Sequence, residues 1–158
     1  MRYFRLGAVF LVCSSAVAHT QTYGPDFQAT SKTENEFSQL VRDVLGTLRG
    51  MPDRSAVEHA CIDSTLRGAT QLSTIFSHYK FAIASWNILS DEFEKKKVAL
   101  VLKVQTTQVR EEIRATRERI NGAVGTCGRF PLAVAKGTEL LGAMKKADEV
   151  VSKIESKL

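Results

Sequence analysis

The stretch Asp53–Cys127, DRSAVEHACIDSTLRGATQLSTIFSHYKFAIASWNILSDEFEKKKVALVLKVQTTQVREEIRATRERINGAVGTC, decides the fold. Within it Cys61, Thr65, Gly68, Leu72, Phe76, Tyr79, Ile83 and Trp86 recur at steps of three and four, which places them on one face of an α-helix. Val98, Leu102, Gln105, Val109, Ile113, Thr116, Ile120, Ala123 and Cys127 repeat those steps and end on a second cysteine. Between the two runs lies Ser90-Asp91-Glu92, where Ser90 suits an N-cap and the acids suit the first turn of the second helix. A reversal near residues 90–95 makes the runs a helical hairpin and brings Cys61 and Cys127 within about one or two helical turns of level at its open end. Gly122, Gly125 and Gly128 are expected to loosen the backbone around Cys127 and absorb the stagger.

The amino terminus supplies the redox context for that pair. Arg2 and Arg5 precede an apolar run from Leu6 to Val12, and Ala16-Val17-Ala18 follows, the charged, apolar and small order of a secretory signal peptide spanning residues 1–18. The apolar run falls well short of the roughly 20 residues of a spanning helix, so cleavage near His19 is expected. Removal of this segment takes Cys13 with it and leaves two cysteines in an oxidising compartment, periplasmic or extracellular, where an even pair reads as a disulfide between Cys61 and Cys127. Closing such a loop stabilises a fold by about 4 kcal/mol in the chain-entropy account.

Flanking segments complete the pattern. Residues 19–32 hold Gly24 and Pro25 without a sustained period and read as a flexible or extended leader. A first helix is expected from Ser31 or Thr33, where Ser31 and Glu34 fit a capping box; it carries Phe37, Leu40, Val41, Val44, Leu48 and Met51 and stops at Gly50 and Pro52. Ser55 and Glu58 offer a second capping box at the start of the hairpin. Pro131 opens a last helix, striped by Ala133, Gly137, Leu140, Met144, Ala147, Val151, Ile154 and Leu158. Four helices with short connections and no strand alternation predict an all-α fold: an antiparallel up-down-up-down four-helix bundle spanning residues 33–158, with coiled-coil-like packing and one disulfide across its long central hairpin.

Composition narrows the function. The chain carries 22 Lys and Arg against 17 Asp and Glu, a mild excess spread along the sequence rather than the concentrated basic face with stacking aromatics that nucleic-acid binding requires. Glu111, Glu112 and Glu118 alternate with Arg110, Arg114, Arg117 and Arg119 at the spacing of exposed ion pairs. No nucleophile, base and orienting group can be assembled, so no enzyme, no metal site and no cofactor is expected. A noncovalent haem held by His59 with Met144 or Met51 is conceivable and is not favoured.

The hairpin end is the most apolar part of the chain, and a first helix of 17 to 19 residues, climbing about 27 Å, falls short of arms about 50 Å long. An interaction surface is therefore expected from Phe81, Trp86, Ile88, Leu89, Leu100, Val101 and Val104 with the basic cluster Lys95, Lys96 and Lys97. Its partner is expected to be a protein or a second copy; a membrane surface, which an apolar end with three lysines also suits, is not favoured. Two other readings compete. The leader folds upward and covers the end with Tyr23 and Phe27, or the arms splay and carry a small apolar ligand.

Overall fold

The computed structural model describes residues 24–51 and 56–158, and its described residues form four α-helices: α1 (Pro25–Arg49), α2 (Ala56–Ile88), α3 (Glu92–Thr126) and α4 (Pro131–Glu155). Consecutive helices pack as neighbours, α1 closes on α4, and α2 also meets α4 across the bundle. This is the expected antiparallel bundle around a long hairpin. Residues 1–23 and 52–55 lie outside the description, and with them the expected signal segment, Tyr23 and the Ser55 cap.

α1 begins earlier than the sequence pattern suggests. Residues 25–32, expected as the end of an extended leader, form its first two turns: Pro25 takes the first helical position, where its missing N–H costs nothing, and Asp26 faces the positive end of the helix dipole. Thr30 and Thr33 occupy core-facing positions above Phe37, and their hydroxyls donate to the carbonyl oxygens of Asp26 (2.7 Å) and Ala29 (3.0 Å). Threonines satisfied by their own helix can be buried at little polar cost, so the stripe continues where no aliphatic residue marks it. Ser31 and Glu34 are consequently inside the helix rather than a capping box.

The longer helix changes what lies beside the hairpin end. Ser38 on α1 bonds Ser73 on α2 at 2.8 Å, Glu34 pairs with Lys80, and Gly24 sits against Asn87, next to the last residue of α2. α1 therefore reaches the hairpin end, contrary to the expectation that it stops short. α1 and α4 have 25 residues each, against 33 in α2 and 35 in α3. Glu155 of α4 pairs with Arg110, and Lys157 just beyond it lies 2.6 Å from Asp26, so α4 ends level with the start of α1 and the first turns of α3 continue past both toward the hairpin turn.

Two other local expectations shift. Asp91, not Ser90, caps α3: its Oδ1 accepts from the Glu94 N–H at 2.9 Å. Gly122 and Gly125 lie within an uninterrupted α3 that runs to Thr126, and Cys127 forms its C-cap, so the glycines do not break the helix. The cysteines meet without that slack. Cys61 and Cys127 are joined with their Cα atoms 6.1 Å apart, inside the ordinary disulfide span.

The core falls into two clusters. The larger contains Phe37, Leu72, Phe76, Tyr79, Ile113 and Leu140, with Phe76 meeting Phe37 at a centroid distance of 5.5 Å and Tyr79 edge-on at 6.3 Å. The smaller surrounds the disulfide with Val44, Met51, Ile62 and Ala133. Between them α4 approaches the hairpin closely: a Cβ added at Gly137 would lie 2.5 Å from Val124, and one at Gly68 would lie 3.1 Å from Leu140 and from Thr116. Glycine at these two points lets three helices share one level.

Candidate interaction surface

The ten residues expected at the hairpin end separate into two groups once the helices are assembled. Phe81 and Ile88, seven residues apart on α2, are 62% and 52% exposed on the side away from buried Tyr79 and Ile83. Leu100 and Val104, four apart on α3, are 68% and 60% exposed, and Val101, on the flank toward α2, is 57% exposed. Trp86, by contrast, is half-buried and packs against the main core together with Phe27 and Leu158. Leu89 is also half-buried. Trp86 is thus a rim of the interior, whereas the outward residues are surface.

Neighbouring charges partly occupy the rings. Lys95 lies over the Trp86 ring at 5.8 Å, Lys97 over the Phe93 ring at 4.2 Å, and Lys80 over the Phe81 ring at 5.5 Å, distances at which a cation is attracted to the aromatic face. Lys97 also pairs with Glu94 at 2.9 Å. Lys96 is exposed beside them. The expected basic cluster is therefore interleaved with aromatic rings and acids rather than presented as a bare patch of positive charge.

Phe93, 66% exposed, belongs to this surface and was missed in the sequence. It sits in Asp91-Glu92-Phe93-Glu94, a segment read for capping chemistry. Its spacing of seven residues before Leu100 was the available signal.

Beneath the outward faces the arms are closed against each other. Tyr79 and Thr106 share a hydrogen bond of 2.8 Å across the hairpin, and the Thr106 hydroxyl reaches the Leu102 carbonyl at 2.7 Å. Burial raises the Tyr79 phenol to about 12; the Thr106 bond opposes that rise, while the carboxylates of Asp26 and Glu155 add to it. Ile83 and Leu102 fill the level above with no exposed surface. A shallow groove of about 510 Å³ runs outside this seam, lined by Ile75, His78, Tyr79, Gln105, Gln108, Val109, Glu111 and Glu112.

Of the residues considered for haem ligation, Met51 packs in the disulfide cluster and Met144 in the main core, and His59 is half-buried on the first turns of α2. The two methionines belong to separate packing units, each filled by hydrophobic side chains. Among the described residues, no helix is long and apolar enough to cross a membrane, and no group of three or more His, Cys, Asp or Glu side chains is placed to hold a metal ion. Comparison of the chain with protein-family models, curated proteins and solved structures gave no match.

Proposed function

We propose that this chain is an exported, non-enzymatic helical bundle that acts by protein–protein contact through the outward faces of its hairpin end. One observation carries the reading: six of the seven large hydrophobic side chains exposed among the described residues, Phe81, Ile88, Phe93, Leu100, Val101 and Val104, lie between residues 81 and 104. Water contact with so many apolar side chains near one end of the hairpin is unfavourable, and surfaces of this kind ordinarily meet a partner. Export is supported by the charged, apolar and small order of residues 1–18 and by a disulfide, which persists in oxidising compartments.

The carrier reading is less well supported, because the volume between the arms is taken by Tyr79, Ile83 and Leu102. The covering reading keeps Phe27, which packs against the main core.

Two substitutions separate these possibilities. Phe93→Ser with Leu100→Gln is expected to leave the folded protein within about 0.5 kcal/mol of its parent, as exposed positions do, while association through the hairpin end is lost. Trp86→Ala, cutting into the rim of the core, is expected to cost about 2 to 4 kcal/mol. Thermal melting and sedimentation measure both. If the Phe93 and Leu100 changes destabilise as strongly as Trp86→Ala, the outward face is covered from within the chain and the proposal fails.

A further inference from the structure

We infer that the α3 part of this surface, with Phe93, Leu100 and Val104, is occupied by a second copy of the chain, docked antiparallel along the outer face of α3 with a two-fold axis at Val104. The inference rests on the interaction reading above and specifies its partner.

The exposed side of α3 forms one stripe: Phe93, Lys97, Leu100, Val104, Gln108, Glu111 and Ala115, every one exposed. Its steps of four, three, four, four, three and four are the same read from either end, with Val104 at the centre. Its neighbours lie elsewhere on the helix. Arg110 and Arg117 turn to α4 through Asp148, Glu112 turns to α2 through Gln71, and Lys97 pairs with Glu94 of its own helix, so the stripe stays exposed, with Gln108 and Glu111 bordering the groove beside α2.

A two-fold contact between copies must be self-complementary, because each residue on one side of the axis meets the residue equally far beyond it on the other copy. About Val104, Lys97 meets Glu111 of the second copy, and Glu111 meets its Lys97, since each lies seven residues from the centre. Phe93 meets Ala115, a large ring against a small side chain. Leu100 lies along the aliphatic stem of Gln108, and Val104 meets itself. A parallel arrangement would instead set Lys97 on Lys97 and Glu111 on Glu111, and like charges in contact oppose docking. The charge order along the stripe therefore selects both the partner and its direction. Its length, from Phe93 to Ala115, is about 33 Å, enough for three heptads of contact.

The test is a charge exchange on the full exported chain, read by sedimentation equilibrium. Lys97→Glu alone and Glu111→Lys alone are each expected to weaken self-association about tenfold, and the double variant to recover to within about threefold of the parent. A Val104→Cys variant, treated with a short bismaleimide while the native disulfide stays intact, is expected to give covalent dimers. Thr138→Cys, exposed on α4, is expected to give none. A double variant as weak as the two single effects combined, or equal crosslinking at residue 138, overturns the arrangement. A parent chain that stays monomeric at high micromolar concentration, with Phe93 and Leu100 variants that melt with it, overturns the second copy as occupant and leaves the face to a different protein. Loss of stability in those variants overturns the interaction reading itself.

Discussion

The two ends of the bundle solve the same problem in opposite ways. At the disulfide end the helices converge: Cys61 is bonded to Cys127, Met51 folds back over Val44 and Ile62, and Gly137 lets α4 press against Val124. Apart from Val57, 51% exposed, the large apolar side chains there are turned inward or half-buried. At the hairpin end α4 stops near Arg110, with Lys157 just beyond it paired to Asp26 on the first turn of α1, and Phe93, Leu100 and Val104 face solvent. The same hairpin is thus stapled at its root and left with an apolar surface at its turn. The difference shows that burial along a long helix is set by how far its neighbours extend, and only secondarily by its own hydrophobicity.

The contrast is broken most forcefully at the staple. Cys61→Ala with Cys127→Ala is expected to lower stability by about 2 to 5 kcal/mol, read by denaturant unfolding with and without reductant, since the bridge closes a sequence separation of 66 residues. A parent that unfolds identically when reduced would show that convergence at this end owes little to the bond.

A smaller effect is expected where the hairpin arms lock together below the exposed faces. The Tyr79 phenol is held at about 12, above its ordinary value of 10.0, chiefly because burial disfavours the phenolate. The folded state therefore keeps this proton where the unfolded chain has lost it. Stability present below pH 10 declines as pH rises through 10 toward 12, by roughly 2 to 3 kcal/mol. Tyr79→Phe removes this share of the alkaline loss, so the difference between the two chains' stability curves, which cancels the lysines common to both, isolates the effect. Identical curves would place Tyr79 in contact with water.

The least disruptive test sharpens the packing side of the comparison. Gly137→Ala drives a methyl into Val124 and is expected to cost about 1 to 3 kcal/mol, whereas Gly142→Ala, with nothing within 4 Å of the added carbon, is expected to gain up to about 1 kcal/mol from helix propensity. Thermal melts of the two variants should move in opposite directions.

Much of this was legible in residue spacing. The stripes from Cys61 to Trp86 and from Val98 to Cys127, the stop at Gly50 and the start at Pro131 all reappear as helices and helix ends, because three- and four-residue periodicity, caps and breakers act over a few residues. The start of α1 was not legible, since Thr30 and Thr33 are polar by composition yet buried by virtue of hydroxyl bonds to their own helix. Trp86 and Leu100 looked alike as apolar residues near a turn. One lies at the rim of the core and the other on the surface.

What the sequence by itself determined was therefore the number, type and order of the helices and the pairing of Cys61 with Cys127, each specified by residues close together or by two matched positions on regular stripes. Only the tertiary structure decided which apolar side chains of the hairpin end face outward. That outcome depends on the level at which α4 ends against α3 and on how far α1 runs beside α2, and those levels are fixed by contacts between segments far apart in the chain: Arg110 with Glu155, Glu34 with Lys80, and Gly24 with Asn87.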